Sequence, residues 1–131
     1  LPQAREAVEA VSRSHRVLLI TKGDLLDQER KLAQSGLGDF FNAVEIVSDK
    51  SPATYSTAFA RHGDGPEQAM MVGNSLRSDV LPAIEAGGWG TYVPHALTWD
   101  YERAEEPDNA PRFAKIETLA ELRPLIERLE R

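Results

Sequence analysis

A doubly wound α/β fold, a parallel sheet with helices on both faces, is what this sequence predicts. Short apolar runs recur at 16–21, 43–48, 69–73 and 90–94. The first of them is a continuous β-branched and Leu run, as expected of a strand buried on both faces. Between them lie segments with apolar residues at helical spacing, and strands alternating with helices imply parallel β-α units. No repeat and no low-complexity segment interrupts the pattern.

Residues 1–14 read as an amphipathic helix, with Ala4, Ala7, Val8 and Val11 at helical spacing. "RVLLIT" (16–21) is the first strand, ended by Gly23. Residues 24–36 return to helical spacing through Leu25, Leu26, Leu32 and Ala33, with Gly36 as the stop. "AVEIVS" (43–48) is the second strand. Ser51-Pro52 then starts a helix, Ser as N-cap and Pro in the first turn, and Arg61-His62-Gly63 ends it with a basic turn and a glycine. "AMMVG" (69–73) is the third strand, residues 79–86 a short helix stopped by Gly87-Gly88, and "GTYVP" (90–94) the fourth strand. A polar, Pro-containing surface loop is expected over 95–111, then a short edge strand at "RFAKI" (112–116). The closing segment, "ETLAELRPLIERLE", is an amphipathic helix that Pro124 bends or interrupts.

The 131 residues suffice for one domain with a real core, and 41% apolar with 27% charged residues is ordinary for a globular protein. A net charge of -6, with the basic residues scattered, argues against nucleic acid or an anionic membrane as the main partner. With no cysteine, disulfides, thiolate catalysis and Cys-based zinc sites are excluded. No apolar run approaches the roughly 18 residues of a membrane span, and no signal-peptide pattern opens the chain, so a cytoplasmic location is expected.

In open parallel sheets ligands bind at the carboxyl ends of the strands. Those ends here are Thr21-Lys22-Gly23, Ser48-Asp49-Lys50 and Gly73-Asn74-Ser75. The Thr21 hydroxyl, the Lys22 and Gly23 amides and the helix that follows suit an anion. The same residues also read as a plain strand end followed by an Asp24 N-cap. Lys50 precedes a helix N-terminus, where a cation is unfavourable unless an anion neutralises it; a solvated lysine is the bland alternative.

The stretch "GNSLRSD" (73–79) resembles the start of a G-x-S-x-G nucleophile elbow, but Arg77 stands where the last glycine belongs. A nucleophilic Ser75 needs a histidine base, and of His15, His62 and His95 only His95 falls at the appropriate edge. A second reading makes Asn74 and Asp79 oxygen ligands of a hard cation such as Mg²⁺. A third makes Asp79 a helix N-cap. The sequence has neither G-x-x-x-x-G-K-[ST] nor G-x-G-x-x-G.

Together, "LLITKGD", "SDKSPATY" and "MVGNSLRSDVLPAIEAG", in this order and spacing, resemble the haloacid dehalogenase-like (HAD) hydrolase superfamily. Thr21 matches the residue closing that family's second motif, Lys50 the lysine of its third, and Gly73 to Asp79 its acidic fourth motif. The resemblance continues through "GTYVPH". It implies a three-layer Rossmann-like core and phosphoryl transfer through an aspartyl-phosphate with Mg²⁺. Thr21, Lys22 and Gly23 would then hold phosphoryl oxygens, Lys50 would neutralise charge on nucleophile and phosphate, and Asn74 and Asp79 would face the metal.

The sequence departs from the family pattern twice. Asn74 replaces the usual Asp, and its neutral amide should weaken metal binding unless Asp79 compensates. No D-x-D-x-T segment follows an apolar strand, although the resemblance places the nucleophile there, on a central strand. The chain is therefore expected to be the carboxyl-terminal part of a HAD core. The first strand, the nucleophile and a helical cap would lie upstream of Leu1, or a partner chain would complete the sheet. The expected function is a Mg²⁺-dependent phosphatase of small phosphorylated metabolites, this chain alone being inactive. The alternative is a non-catalytic phosphate-binding or interaction module derived from the same fold.

Overall fold

A computed structural model describes residues 3–94 and 111–130. The element order is α1 (Ala4–Ser12), β1 (Leu18–Lys22), α2 (Leu25–Ser35), β2 (Ala43–Val47), α3 (Pro52–His62), β3 (Met70–Gly73), a π-helical turn (Leu76–Val80), α4 (Leu81–Glu85), β4 (Trp89–Tyr92), β5 (Phe113–Lys115) and α5 (Leu122–Leu129). The α/β class and the order of elements are those expected. Every described strand pair is parallel, as β-α-β connections require. The loop expected over 95–111 falls outside the described residues except at Pro111. Among the described residues no helix is long and apolar enough to cross a membrane.

The chain divides into two compact units, residues 1–49 with 119–131, and residues 50–118. In the first, β1 pairs with β2 in the register Leu18↔Ala43 to Lys22↔Val47. Caps set the limits of α2. The Asp24 carboxylate accepts from the Asp27 N–H, and Gly36 closes the helix in the left-handed region at φ 72°. The apolar spacing of α2 predicts a covered face, yet Leu25 and Leu26 are 55% and 73% exposed and no α2 residue is buried. α5 packs on α1, where the Arg123 guanidinium donates to the Ala10 carbonyl at 2.7 Å and His15 Nε2 meets Glu130 at 2.9 Å. Pro124 falls in the first turn of α5, where it interrupts no hydrogen bond.

In the second unit β3, β4 and β5 form a three-stranded sheet in that order, with β5 the edge strand expected. Its core gathers Tyr55, Ala58 and Phe59 of α3, Leu76 and Val80 of the π turn, and Ala83 of α4. Sequence periodicity placed a single helix over 79–86. The chain instead begins its turn at Leu76 in wide π register, the Val80 N–H reaching back to the Ser75 carbonyl at 3.1 Å, and becomes α-helical at Leu81. Such isolated π turns occur often at functional sites.

Candidate active site

Lys50 is placed by the start of α3. Ser51 is extended, and its hydroxyl accepts from the Thr54 N–H at 3.3 Å, while Pro52 fixes the first helical φ. The side chain of Lys50 is 20% exposed, and its Nζ donates to Asp79 Oδ1 at 2.8 Å. The anion that the position of Lys50 calls for is thus supplied within the chain.

Asp79 is placed by the end of β3. Ser75 turns the chain, and its Oγ accepts from the Ser78 N–H at 3.0 Å. The N-cap is therefore Ser75 rather than Asp79, because the helical turn starts at Leu76. The Asp79 carboxylate folds back over Gly73, where a Cβ would lie 2.6 Å from Asp79 Cβ and closer still to a carboxylate oxygen. Only a residue without a side chain admits that approach. Asp79 is buried, and both of its oxygens are engaged: Oδ1 by Lys50, with the Tyr55 hydroxyl 3.4 Å away, and Oδ2 by the Ser75 N–H at 3.3 Å.

The other unit carries Thr21, Lys22 and Gly23. Gly23 has φ 143°, a conformation glycine alone adopts without strain. The Thr21 hydroxyl donates to Gln28 Oε1 at 3.1 Å, and Gln28 Nε2 donates to the Lys22 carbonyl at 3.3 Å. Gln28 thus braces the turn from α2, one helical turn past the Asp24 cap.

Two of these residues were not singled out by sequence, Gln28 and Tyr55. Tyr55 stands four positions after the Ser51 cap, so the helical repeat puts it back on the face where α3 begins; that spacing was the available signal. Of the candidate bases, His15 is engaged with Ser14 and Glu130, and His62 ends α3. His95 lies outside the described residues.

The donor set fits a metal poorly. Among the described residues no group of three or more His, Asp and Glu is placed to hold one. Asp79 already serves an ammonium, and Asn74 is exposed and carries no charge. A divalent cation here would need carboxylates beyond those described.

The family model for haloacid dehalogenase-like hydrolases matches residues 1–87. The chain belongs to that family. Among curated relatives it is 28% identical, over 91% of its own length, to the glyceraldehyde 3-phosphate phosphatase of Methanothermobacter thermautotrophicus. It is 32% identical, over 79% of its length, to the phosphoserine phosphatase of Thermus thermophilus. The chain spans about half of these relatives, 54% of the first and 41% of the second. The crystal structure of a haloacid dehalogenase-like family hydrolase from Xanthomonas campestris superposes with a TM-score of 0.85 at 40% identity, covering 98% of this chain and 54% of that one. A HAD phosphatase from Thermococcus onnurineus superposes at 0.76 with 26% identity, over 96% of this chain and 57% of that one. HAD membership and the Rossmann-type α/β fold thus rest on sequence and structure alike.

Proposed function

We propose that this chain is the core-domain part of a HAD phosphatase of small phosphorylated metabolites. The observation that carries the reading is the Lys50–Asp79 pair, an ammonium anchored at 2.8 Å beside a helix start and left 20% exposed. The phosphatase names of the relatives support it. The nucleophilic carboxylate belongs to a segment upstream of Leu1 or to a partner chain that completes the sheet. Its oxygen attacks phosphorus, the substrate oxygen leaves and takes up a proton, and water then releases phosphate from the aspartyl-phosphate. Lys50 neutralises charge as it gathers on the nucleophile and the phosphoryl oxygens, and Asp79 keeps its ammonium aimed. Thr21 and the amides of Lys22 and Gly23 hold phosphoryl oxygens, and Gly23 lets the backbone come close. Mg²⁺, if it binds, would supply further charge neutralisation; Asn74 would offer it a neutral oxygen, and anionic ligands would have to be supplied beyond Asp79.

The neutral Asn74 favours a second reading, a phosphate-binding module without catalysis. Phosphate release by the full-length protein from a panel of phosphate monoesters, with Mg²⁺ and with EDTA, separates the two. Turnover that needs Mg²⁺ and is abolished in Lys50→Ala is the expected result. Phosphate binding without turnover would favour the module. Residues 1–131 alone should release no phosphate from p-nitrophenyl phosphate, and robust turnover by them would place the nucleophile within this chain.

A further inference from the structure

Tyr55 is the residue in this neighbourhood that the proposed chemistry does not use. It is fully buried, its ring tilted against Phe59 with centroids 6.0 Å apart. Its hydroxyl donates to the Ser78 carbonyl at 2.8 Å and lies 3.4 Å from Asp79 Oδ1. In an α-helix the Ser78 C=O would accept from residue 82, which is Pro82 and has no N–H. α3 supplies, through a side chain, a donor to that carbonyl. The consequence is local and geometric. The Ser78 carbonyl belongs to the peptide unit that ends at the Asp79 nitrogen, so pinning it sets the direction in which the Asp79 side chain leaves the backbone. Asp79 in turn holds Lys50 at 2.8 Å.

We propose that Tyr55 is a positioning residue for Lys50: by donating its hydroxyl to the Ser78 carbonyl, beside Asp79 Oδ1, it aims the Asp79 carboxylate and through it the ammonium. The role rests on the phosphatase reading for its effect on turnover, but not for its effect on Lys50 itself. Lys50 and Tyr55 flank the same N-cap, so the group that meets charge and the group that braces it belong to one helix start. Asp79 closes the circuit from the π turn.

The test compares Tyr55→Phe with Phe59→Leu in the full-length protein. Tyr55→Phe removes only the hydroxyl, whereas Phe59→Leu disturbs the ring packing and leaves the hydroxyl in place. Tyr55→Phe should lower kcat about tenfold with KM changed less than about twofold, short of the ~100-fold that a 1 Å misplacement can cost. Phe59→Leu should leave kcat near the wild-type value even where it lowers the melting temperature. The second readout needs no activity. The ¹⁵N-detected Lys50 ammonium resonance should be sharp in the wild type, where the ion pair slows exchange with water, and should broaden or vanish in Tyr55→Phe. A wild-type kcat together with an unchanged Lys50 resonance in Tyr55→Phe would overturn the assignment. If the wild type releases no phosphate at all, the phosphatase reading fails, and the resonance alone decides the role of Tyr55. Should Tyr55→Phe not fold, the wild-type Tyr55 hydroxyl proton decides: slow exchange supports the bond to Ser78, and exchange as fast as that of an exposed tyrosine refutes it.

Discussion

Replacing Lys50 by Met keeps most of the aliphatic stem and removes the charge, leaving Asp79 buried with the Ser75 amide and the Tyr55 hydroxyl as its remaining neighbours. At the 2.8 Å separation the attraction is about 6 kcal/mol for an effective dielectric of ~20, against about 1.5 kcal/mol in bulk water. Desolvation of both ions offsets much of the larger figure. Breaking a buried pair from one side nevertheless costs about 3–5 kcal/mol, because the surviving charge stays uncompensated. The side chain of Asp79 is 7% exposed and that of Lys50 is 20%, so the pair lies toward the buried case and the lower end applies. Lys50→Met should therefore lower the unfolding free energy by about 3 kcal/mol. Asp79→Leu in the Lys50→Met background should recover roughly 2 kcal/mol, since it removes the stranded carboxylate. Urea unfolding of the two single variants and the double variant, followed by circular dichroism, measures all three terms. Addition of 0.5 M NaCl should change the coupling little, because buried pairs escape most screening. A loss below about 0.5 kcal/mol in Lys50→Met, the range of exposed ion pairs, would refute the argument that Asp79 is held dry by Gly73 and the π turn.

Ser75→Ala should cost about 1 kcal/mol through loss of the cap on Ser78 and leave turnover near the wild-type value; abolished turnover would revive the nucleophilic serine. Gly73→Ala should destabilise by roughly 1–3 kcal/mol and lower kcat, because the new Cβ occupies the space of the Asp79 carboxylate. Thermal melts and phosphate release measure both, and unchanged values would mean that the π turn yields without strain. Asn74→Asp should tighten Mg²⁺ binding by calorimetry, roughly tenfold for about 1.4 kcal/mol of added attraction, and no change would place the metal away from this loop.

Local chemistry made much of the architecture readable in advance. Asp24 and Gly36 bound α2, and Ser51-Pro52 opens α3, because caps and left-handed stops act within a few residues of where they are written. Thr21 and Lys50 lie at two of the strand ends named as candidate loops, and Asp79 lies in the π turn just beyond the third, since parallel β-α units leave few choices. What escaped prediction depends on distance or register. An α and a π turn present nearly the same apolar spacing over five residues, so the shift of the helix start to Leu76 was invisible, and a cap remained one of the readings open for Asp79. The bond from Tyr55 to Ser78 spans 23 residues and follows from packing of α3 with the turn. The exposure of Leu25 and Leu26 contradicts periodicity, which reports that a face is apolar and not what covers it.

The placement of α5 bears on how the chain reaches its folded state. Residues 50–118 form a unit continuous in sequence, whereas residues 1–49 rejoin residues 119–131 across that whole stretch. The Arg123 to Ala10 bond spans 113 residues. Contacts so remote in sequence carry a large loop-closure entropy and form slowly. On a ribosome, the unit bearing Lys50, Tyr55 and Asp79 is free to condense before α5 emerges, so the ammonium clasp can form ahead of the Arg123 bond to Ala10.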